Sequence, residues 1–450
     1  MINTSKKDLV TVSAREAFLY WLKLGFISFG GPAGQIALMH AELVEKRRWI
    51  SEQRFLHALN YCMLLPGPEA TQLAVYIGWL MHKTRGGLMA GFLFIFPSFI
   101  MLCLLSWAYL SLGNNALVSG ILFGIKPAIV TIVLAAAWRI GKRTLKSKVL
   151  KGIALVALVS ISILNLPFPL IILATALIGI FAKTSCAPSP ATQTTSNVLP
   201  DQQDSNLCSY LIGDETPTPR HALFSWTQLL CVLATGIASG FAVYVLLALL
   251  FGWHSLFTDL AWLFTKTALL CFGGAYAVLP YVYQAAVEHF HWLSAAQMMD
   301  GLALGETTPG PLIMIVAFVG FIGGWGKAVM GSDSMIMLAC IGASVACFFT
   351  FLPSFIFILA GGPLVESTRN NLHLTAPLNA ISAAVVGVII SLAIFFAKAV
   401  FLPDGQHPEM LALLLFFISC VAIFRFEWGT MRVLAICALI GACLKYYAHI

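Results

Sequence analysis

Phe29-Gly30-Gly31-Pro32-Ala33-Gly34-Gln35-Ile36-Ala37 and Leu65-Pro66-Gly67-Pro68-Glu69-Ala70-Thr71-Gln72-Leu73 decide how this chain is read, because both return later in it. Phe272-Gly273-Gly274 answers the first stretch and Pro309-Gly310-Pro311 the second, with Trp292 answering Trp49 between them. Every one of these pairs is 243 positions apart (29 to 272, 49 to 292, 66 to 309). Further on, Phe96-Pro97-Ser98-Phe99 answers Leu352-Pro353-Ser354-Phe355, and Ala176-Leu177-Ile178-Gly179 answers Ala438-Leu439-Ile440-Gly441. Five ordered matches make the chain a fused duplication.

The surroundings of these motifs set the solvent. Of 450 residues, 59% are hydrophobic and only 10% charged, against roughly a quarter in ordinary soluble domains. A soluble enzyme of this length is excluded. The runs 86–125, 152–182, 222–258, 267–287, 307–326, 334–365 and 370–397 hold no Asp, Glu, Lys or Arg. Since about 20 apolar residues cross a bilayer as a helix, the expectation is an all-α polytopic membrane protein with about 10–13 transmembrane segments. The net charge of +7 is spread over short loops, which reads as positive-inside topology and not as a nucleic-acid surface. Residues 1–15 are polar and no signal-peptide cleavage site follows them. The eleven Cys form no Cys-x-x-Cys and read as small apolar residues, so no metal site or other cofactor is expected.

A stretch rich in Ser, Thr, Pro, Gln and Asn over 183–222 reads as a flexible linker. It separates a first half, 1–182, from a second, 223–450, which carries one extra span at about 226–252 with no partner in the first. The loop 139–151 holds Arg139, Lys142, Arg143, Lys146, Lys148 and Lys151, whereas its counterpart 398–409 holds only Lys398. Likewise 41–54 is basic and 284–297 has no Lys or Arg. Basic loops stay cytoplasmic, so the halves are expected to be inverted relative to each other, as in many secondary transporters.

Gly-Gly and Pro-Gly-Pro at membrane depth should interrupt helices. Freed backbone groups are tolerated there only against protein or a water-filled cavity, and half-helix N-termini make such a cavity attractive to anions. Gly30, Gly31, Pro66, Gly67 and Pro68, with Gly273, Gly274, Pro309, Gly310 and Pro311, are therefore candidate substrate-binding positions. Plain kinks are the structural alternative. Lys23 and Lys266 each lie seven residues before a Gly-Gly break and are an anion-attracting pair or two snorkelling lysines. Glu69 and Glu306 flank the Pro-Gly-Pro breaks as proton-coupling candidates, with helix capping as the alternative. Gln35 and Gln72 in one half, and Tyr276, Thr307 and Thr308 in the other, could donate to an oxyanion or bond between helices. His57, Asn60 and Thr71 lie in the same neighbourhood. Asp300 is another proton-carrying candidate, with a helix start at the interface as the leading alternative, and Lys126 before Pro127 has no partner visible in sequence. No Walker-type, Gly-x-Gly-x-x-Gly or His-Glu-x-x-His motif is present, so no enzyme is expected and transport must draw on an ion gradient or exchange.

The first-half stretches, with Tyr76-Ile77-Gly78-Trp79, and the second-half Phe272-Gly273-Gly274-Ala275-Tyr276-Ala277 and Thr308-Pro309-Gly310-Pro311-Leu312, resemble the chromate ion transporter family in its long, two-domain form. The resemblance implies a multi-pass inner-membrane protein that exports chromate and confers chromate resistance. It implies sulfate as a related substrate, and a proton gradient or exchange as the driving force. Oxyanion uptake and an anion channel are the alternatives, and a homodimer is left open. One departure is Ala275, where many members are expected to carry a third Gly.

Overall fold

The computed structural model describes residues 12–29, 31–113, 115–164, 166–181, 210–213, 216, 219–272, 274–326, 331–367, 375–402 and 409–447. Gly30, Gly273 and most of the segment expected as a linker lie outside the described residues.

Among the described residues the chain is helical, with a single isolated bridge between Ile50 and Ile212 as its β-structure. The first half folds as α1 (Ala14–Ile27), α2 (Gly31–His40), α3 (Glu52–Leu64), α4 (Glu69–Leu112), α5 (Ala116–Thr144), α6 (Lys148–Ser162) and α7 (Phe168–Phe181). The extra helix α8 (Trp226–Phe251) follows. The second half holds α9 (Leu256–Leu270), α10 (Ala275–Tyr283), α11 (Ala295–Thr307), α12 (Ile315–Gly326), α13 (Gly331–Ser367), α14 (Thr375–Phe401), α15 (Met410–Cys420) and α16 (Thr430–Tyr447).

The duplication holds element by element. Adding 243 to the bounds of α3 gives those of α11, and the π-helical turn Ala41–Lys46 after α2 returns as Gln284–His289 after α10. Arg48 and His291, again 243 apart, both sit at left-handed φ, 54° and 52°. Ser51 caps α3 and Ser294 caps α11, so even the hydrogen bond that starts the helix repeats.

Helix α4 is two helices. His82 (φ −130°, ψ 30°) and Lys83 (φ 58°, ψ −158°) are not helical, and the chain folds back so that Gly78 lies on Gly86 and Val75 on Gly91. The second half makes the same hairpin from α12 and α13, with Gly320 on Gly342. With no side chain between them, the two arms approach to backbone contact, the usual solution where hydrophobicity cannot drive helices together in lipid.

Among the described residues five helices are long and apolar enough to cross a membrane: α4, α5, α8, α13 and α14. Shorter apolar helices at 168–179, 312–326, 410–425 and 430–444 fill the space between them. The halves interlock: α5 packs against α15 and α16, while its second-half counterpart α14 packs against α6 and α7. One large buried cluster accordingly runs through both halves, and a smaller one centres on α1, α3 and α4. Helix α8 stands outside this plan. Gly236 and Gly240 rest on Ile356 and Leu352 of α13, and Leu230, Ile237, Phe241 and Leu249 face outward, as a lipid-exposed helix requires.

Within the segment expected as a flexible linker, residues 210–213 are docked. Backbone bonds join Leu211 and Ile212 to Arg48 and Trp49 (3.1 and 3.0 Å), and the Arg54 guanidinium donates to the Thr216 carbonyl at 2.7 Å. Polar composition hid two apolar anchors, Ile212 and Ala222, which are buried against the first half.

Candidate functional site

Four helical segments begin at the four breaks. Helix α2 starts at Gly31, α4 at Glu69 after Pro68, α10 at Ala275 after Gly274, and a 3₁₀ turn, Leu312–Met314, leads from Pro311 into α12. All four break glycines that are described are left-handed: Gly31 (φ 73°), Gly67 (131°), Gly274 (100°) and Gly310 (103°). At Gly67 and Gly310 a side chain would also collide, with Ser354 and the Gln72 amide in one case and with Ser98 in the other. Only glycine satisfies both conditions.

Most helices that start at loops are capped, α8 after Ser225 and α15 after Glu409 being uncapped exceptions. Ser13, Ser51, Asn115, Ser147, Ser255 and Ser294 each accept a hydrogen bond from the first turn of the helix they precede. Pro68, Gly274 and Pro311 supply no side-chain cap. Uncapped first-turn amides and the positive end of the helix dipole are what an anion seeks.

The breaks of one half are pinned by the other. The Gly67 N–H donates to the Cys271 carbonyl at 2.7 Å, and the Gly310 N–H donates to the Ser28 carbonyl at 2.8 Å. Ser28 and Cys271 are themselves 243 positions apart, so the two bonds are twofold images of one contact. The Gln35 amide strengthens one side, donating to the Gly310 carbonyl at 2.5 Å and to the Ser28 carbonyl at 3.3 Å. On the other side Gln72 donates to the Pro66 carbonyl at 2.8 Å.

Around this crossing the polar accounting is incomplete. Ser98 and Ser354 are fully buried, stand against Gly310 and Gly67, and their hydroxyls have no hydrogen-bond partner. The Thr71 hydroxyl and the side-chain oxygens of Gln35 and Gln72 are buried and unpartnered as well. A buried polar group left so costs about 1–3 kcal/mol, and native proteins keep few of them without a purpose such as an ion or water. Three of these five atoms are hydroxyls, able to donate to an oxyanion without bringing a charge of their own.

The other expected site residues divide. Pro68, Pro309 and Pro311 are buried at the breaks and Pro66 is half-buried. The Thr307 and Thr308 hydroxyls turn back to the Leu304 and Gly305 carbonyls of their own helix. Tyr276 donates to the carboxylate of Glu306, and the charge of Arg139 also acts on that pair. Glu69 is the first residue of α4, half-buried, with Arg143 acting on it. Arg139 and Arg143, one helical turn apart at the basic end of α5, are near enough for their charges to be felt at Glu306 and Glu69 respectively. Lys23 is exposed on α1, in a small pocket with Tyr20 and Glu42. Outside the spans, Lys46 donates to Glu42 at 2.7 Å and holds that carboxyl below its usual range. The Lys266 ammonium lies 5.2 Å over the Trp262 ring. His57 is half-buried and Asn60 exposed. Among the described residues no group of three or more His, Cys, Asp or Glu could hold a metal ion.

Two candidate residues at the crossing escaped the reading of the sequence, Ser98 and Ser354. The signal was present as a hydroxyl at one position of both repeats, in Phe-Pro-Ser-Phe and Leu-Pro-Ser-Phe. It served there only as a sign of duplication.

The chromate transporter family profile matches residues 15–180 and 258–442. The chain belongs to the chromate transporter family. The matched ranges are the two structural repeats, and they leave out the linker and α8. Similar proteins include a chromate transport protein of Pseudomonas aeruginosa, 30% identical over 86% of this chain and 82% of the relative. Another, from Cupriavidus metallidurans, is 26% identical over 86% and 84%. An uncharacterized transporter of Methanocaldococcus jannaschii is 24% identical over 98% of both chains. No solved structure matches. The protein is thus a multi-pass membrane transporter of this family.

Proposed function

We propose that this chromate transporter family protein is a secondary transporter that exports chromate across the inner membrane, with the crossed breaks as its substrate site. Export of this kind would confer chromate resistance. The observation that carries the reading is the pair Ser98 and Ser354, buried hydroxyls without partners, each facing the Pro-Gly-Pro break of the opposite half. Chromate and sulfate are tetrahedral dianions of similar shape. A site of hydroxyls and first-turn amides can take either, and sulfate is the related substrate.

The twofold pair of bonds, Gly67 to Cys271 and Gly310 to Ser28, supports alternating access. Rocking of one half against the other would shift both contacts together while the site stays between them. The basic loop 139–151 and its nearly neutral counterpart support an inverted relation of the halves. Glu69 and Glu306, flanking the breaks under the charges of Arg143 and Arg139, couple protons to that movement. Lys23 and Lys266 draw the anion toward the breaks from outside.

Reconstitution in proteoliposomes tests this. Saturable chromate counterflow that sulfate competes away, and outward flux detected as uptake into everted vesicles, are the expected results. Conductance that neither saturates nor shows counterflow would overturn the transporter reading in favour of a channel. Flux driven only inward would overturn export.

A further inference from the structure

Lys126 has no role legible in the sequence and Asp300 has two, a proton carrier or a helix start at the interface; the structure pairs them. Lys126 lies in α5 roughly 15 Å from its N-terminal end at 1.5 Å per residue, far from the basic turn that ends the helix. Asp300, expected to begin a helix at the interface, is instead the sixth residue of α11 and only 4% exposed. The Lys126 ammonium is 3.4 Å from its Oδ1, and the Tyr109 hydroxyl donates to its Oδ2 at 3.0 Å. The Lys126 ammonium is the group that faces Oδ1, at a distance long for a hydrogen bond.

The pair joins both halves, since Tyr109 comes from α4, Lys126 from α5 and Asp300 from α11. Of the elements packed on α11, α12, α14 and α16 bring no charge to bear on the carboxylate among the described residues; Lys126 and Tyr109 are the groups that face it. The pair also has no twin. The position equivalent to Asp300 in the first half, 243 residues earlier, is His57. Helix α11 runs from Asp300 straight into the second Pro-Gly-Pro break, two turns further on.

We propose that Asp300 is a proton-carrying carboxylate of transport, with Lys126 as its counter-ion and Tyr109 as a positioning residue. This rests on the crossed breaks being an oxyanion site. A proton adding to Oδ1 neutralises the carboxylate and leaves the Lys126 ammonium uncompensated in a low-dielectric interior. A dianion arriving at the break on the same helix restores the local balance of charge. Proton and anion therefore assist each other's binding, and linkage makes the assistance reciprocal. An ion pair used only as cement is a poor explanation, because apolar residues of similar volume hold helices together as well or better. Ionisable groups retained inside a membrane mark ion or proton pathways by default.

The test uses the full chain in proteoliposomes with chromate as the probe. In Asp300→Asn, which imitates the protonated state, chromate counterflow should lose its dependence on pH. Its net flux in response to an imposed pH difference should fall by about tenfold, the size expected of a coupling between two sites. The doubly neutral Lys126→Met with Asp300→Asn should behave alike. Tyr109→Phe removes a hydrogen bond made to the charged carboxylate and should move the pH of half-maximal counterflow upward. A wild-type response to the pH difference in Asp300→Asn or in the double variant would overturn the proposal and leave the pair as cement. Should those variants fail to insert, an unmoved pH midpoint in Tyr109→Phe would overturn it instead. Absence of saturable chromate counterflow in the wild type would fail the transport reading itself, a distinct result.

Discussion

The two halves share a skeleton and differ in chemistry. Breaks, π-helical turns, serine caps and left-handed residues recur 243 positions apart, down to single hydrogen bonds. Polar side chains mostly do not. Where the first half has Gln35, Gln72, His57 and Glu69, the second has Val278, Ile315, Asp300 and Leu312; where the second has Tyr276 and Glu306, the first has Ala33 and Met63. Ser98 and Ser354, a hydroxyl kept in both, and Lys23 and Lys266, an ammonium kept in both, are among the exceptions. The difference teaches what duplication constrains. Crossed breaks must exist in both copies to satisfy each other's backbone. Most amides and carboxylates near the breaks stand in one copy alone.

That comparison can be broken or sharpened by mutation, beginning with the shared skeleton. Gly310→Ala and Gly67→Ala each combine a strained φ, costing about 1–3 kcal/mol, with a collision against Ser98 or Ser354. Both should abolish chromate counterflow and lower the melting temperature in detergent. Gly31→Ala and Gly274→Ala meet open space and should show the strain alone. If Gly67→Ala were silent while Gly310→Ala was not, the twofold equivalence of the breaks would be lost.

The next effect is one-sided. Gln35→Leu removes the amide that straps the Gly310 and Ser28 carbonyls, at a cost of about 1–3 kcal/mol for acceptors left short in a buried site. A thermal melt should register that loss, and a volume-conserving change at the equivalent Val278 should cost less than about 1.5 kcal/mol. Equal losses would show that Gln35 matters for packing and not as a strap.

Ser98→Ala and Ser354→Ala test the substrate site. Each deletes a hydroxyl with no protein partner, so stability should hold or rise. The KM for chromate should increase by about 3–10-fold, the equivalent of one ordinary hydrogen bond. Similar values for the two would place the anion on the twofold axis, and unequal values would draw it toward one half. An unchanged KM in both would remove the serines from the site.

The smallest effect is expected at the lysines. Lys23 is exposed, and an exposed charge is screened beyond about 8 Å at physiological ionic strength. Lys266→Gln gives up a cation–π contact worth about 0.5–1 kcal/mol. Both variants should weaken chromate uptake only slightly, and more at low salt than at high. A large, salt-independent loss at either would move that lysine into the binding site itself.

Much of this was legible in the chain. Scarcity of charge dictated the bilayer, and Gly-Gly and Pro-Gly-Pro located the interruptions, because these residues cannot continue a helix. The hairpin inside α4 was not legible. The run 86–125 shows no charge and its turn residues come only at 113–115, whereas the fold-back sits just before it, at His82 and Lys83. The docked C-terminal part of the expected linker was also missed, since two apolar residues among many polar ones carry little signal. At the site the breaks were visible, while Ser98 and Ser354 were not distinguishable from the many serines that bond to their own helix.

By itself the sequence determined the solvent, the helical class, the duplication and the positions of the breaks, all of which follow from local residue chemistry and periodicity. Only the tertiary structure decided which break meets which, that Lys126 belongs to Asp300, and that two serine hydroxyls remain unspent. Those are contacts between residues some 174 to 287 positions apart (126 to 300, 67 to 354). No local rule encodes such pairings. They arise when the interlocked halves exclude both water and lipid, so that every buried polar atom must find a partner or be left waiting for one.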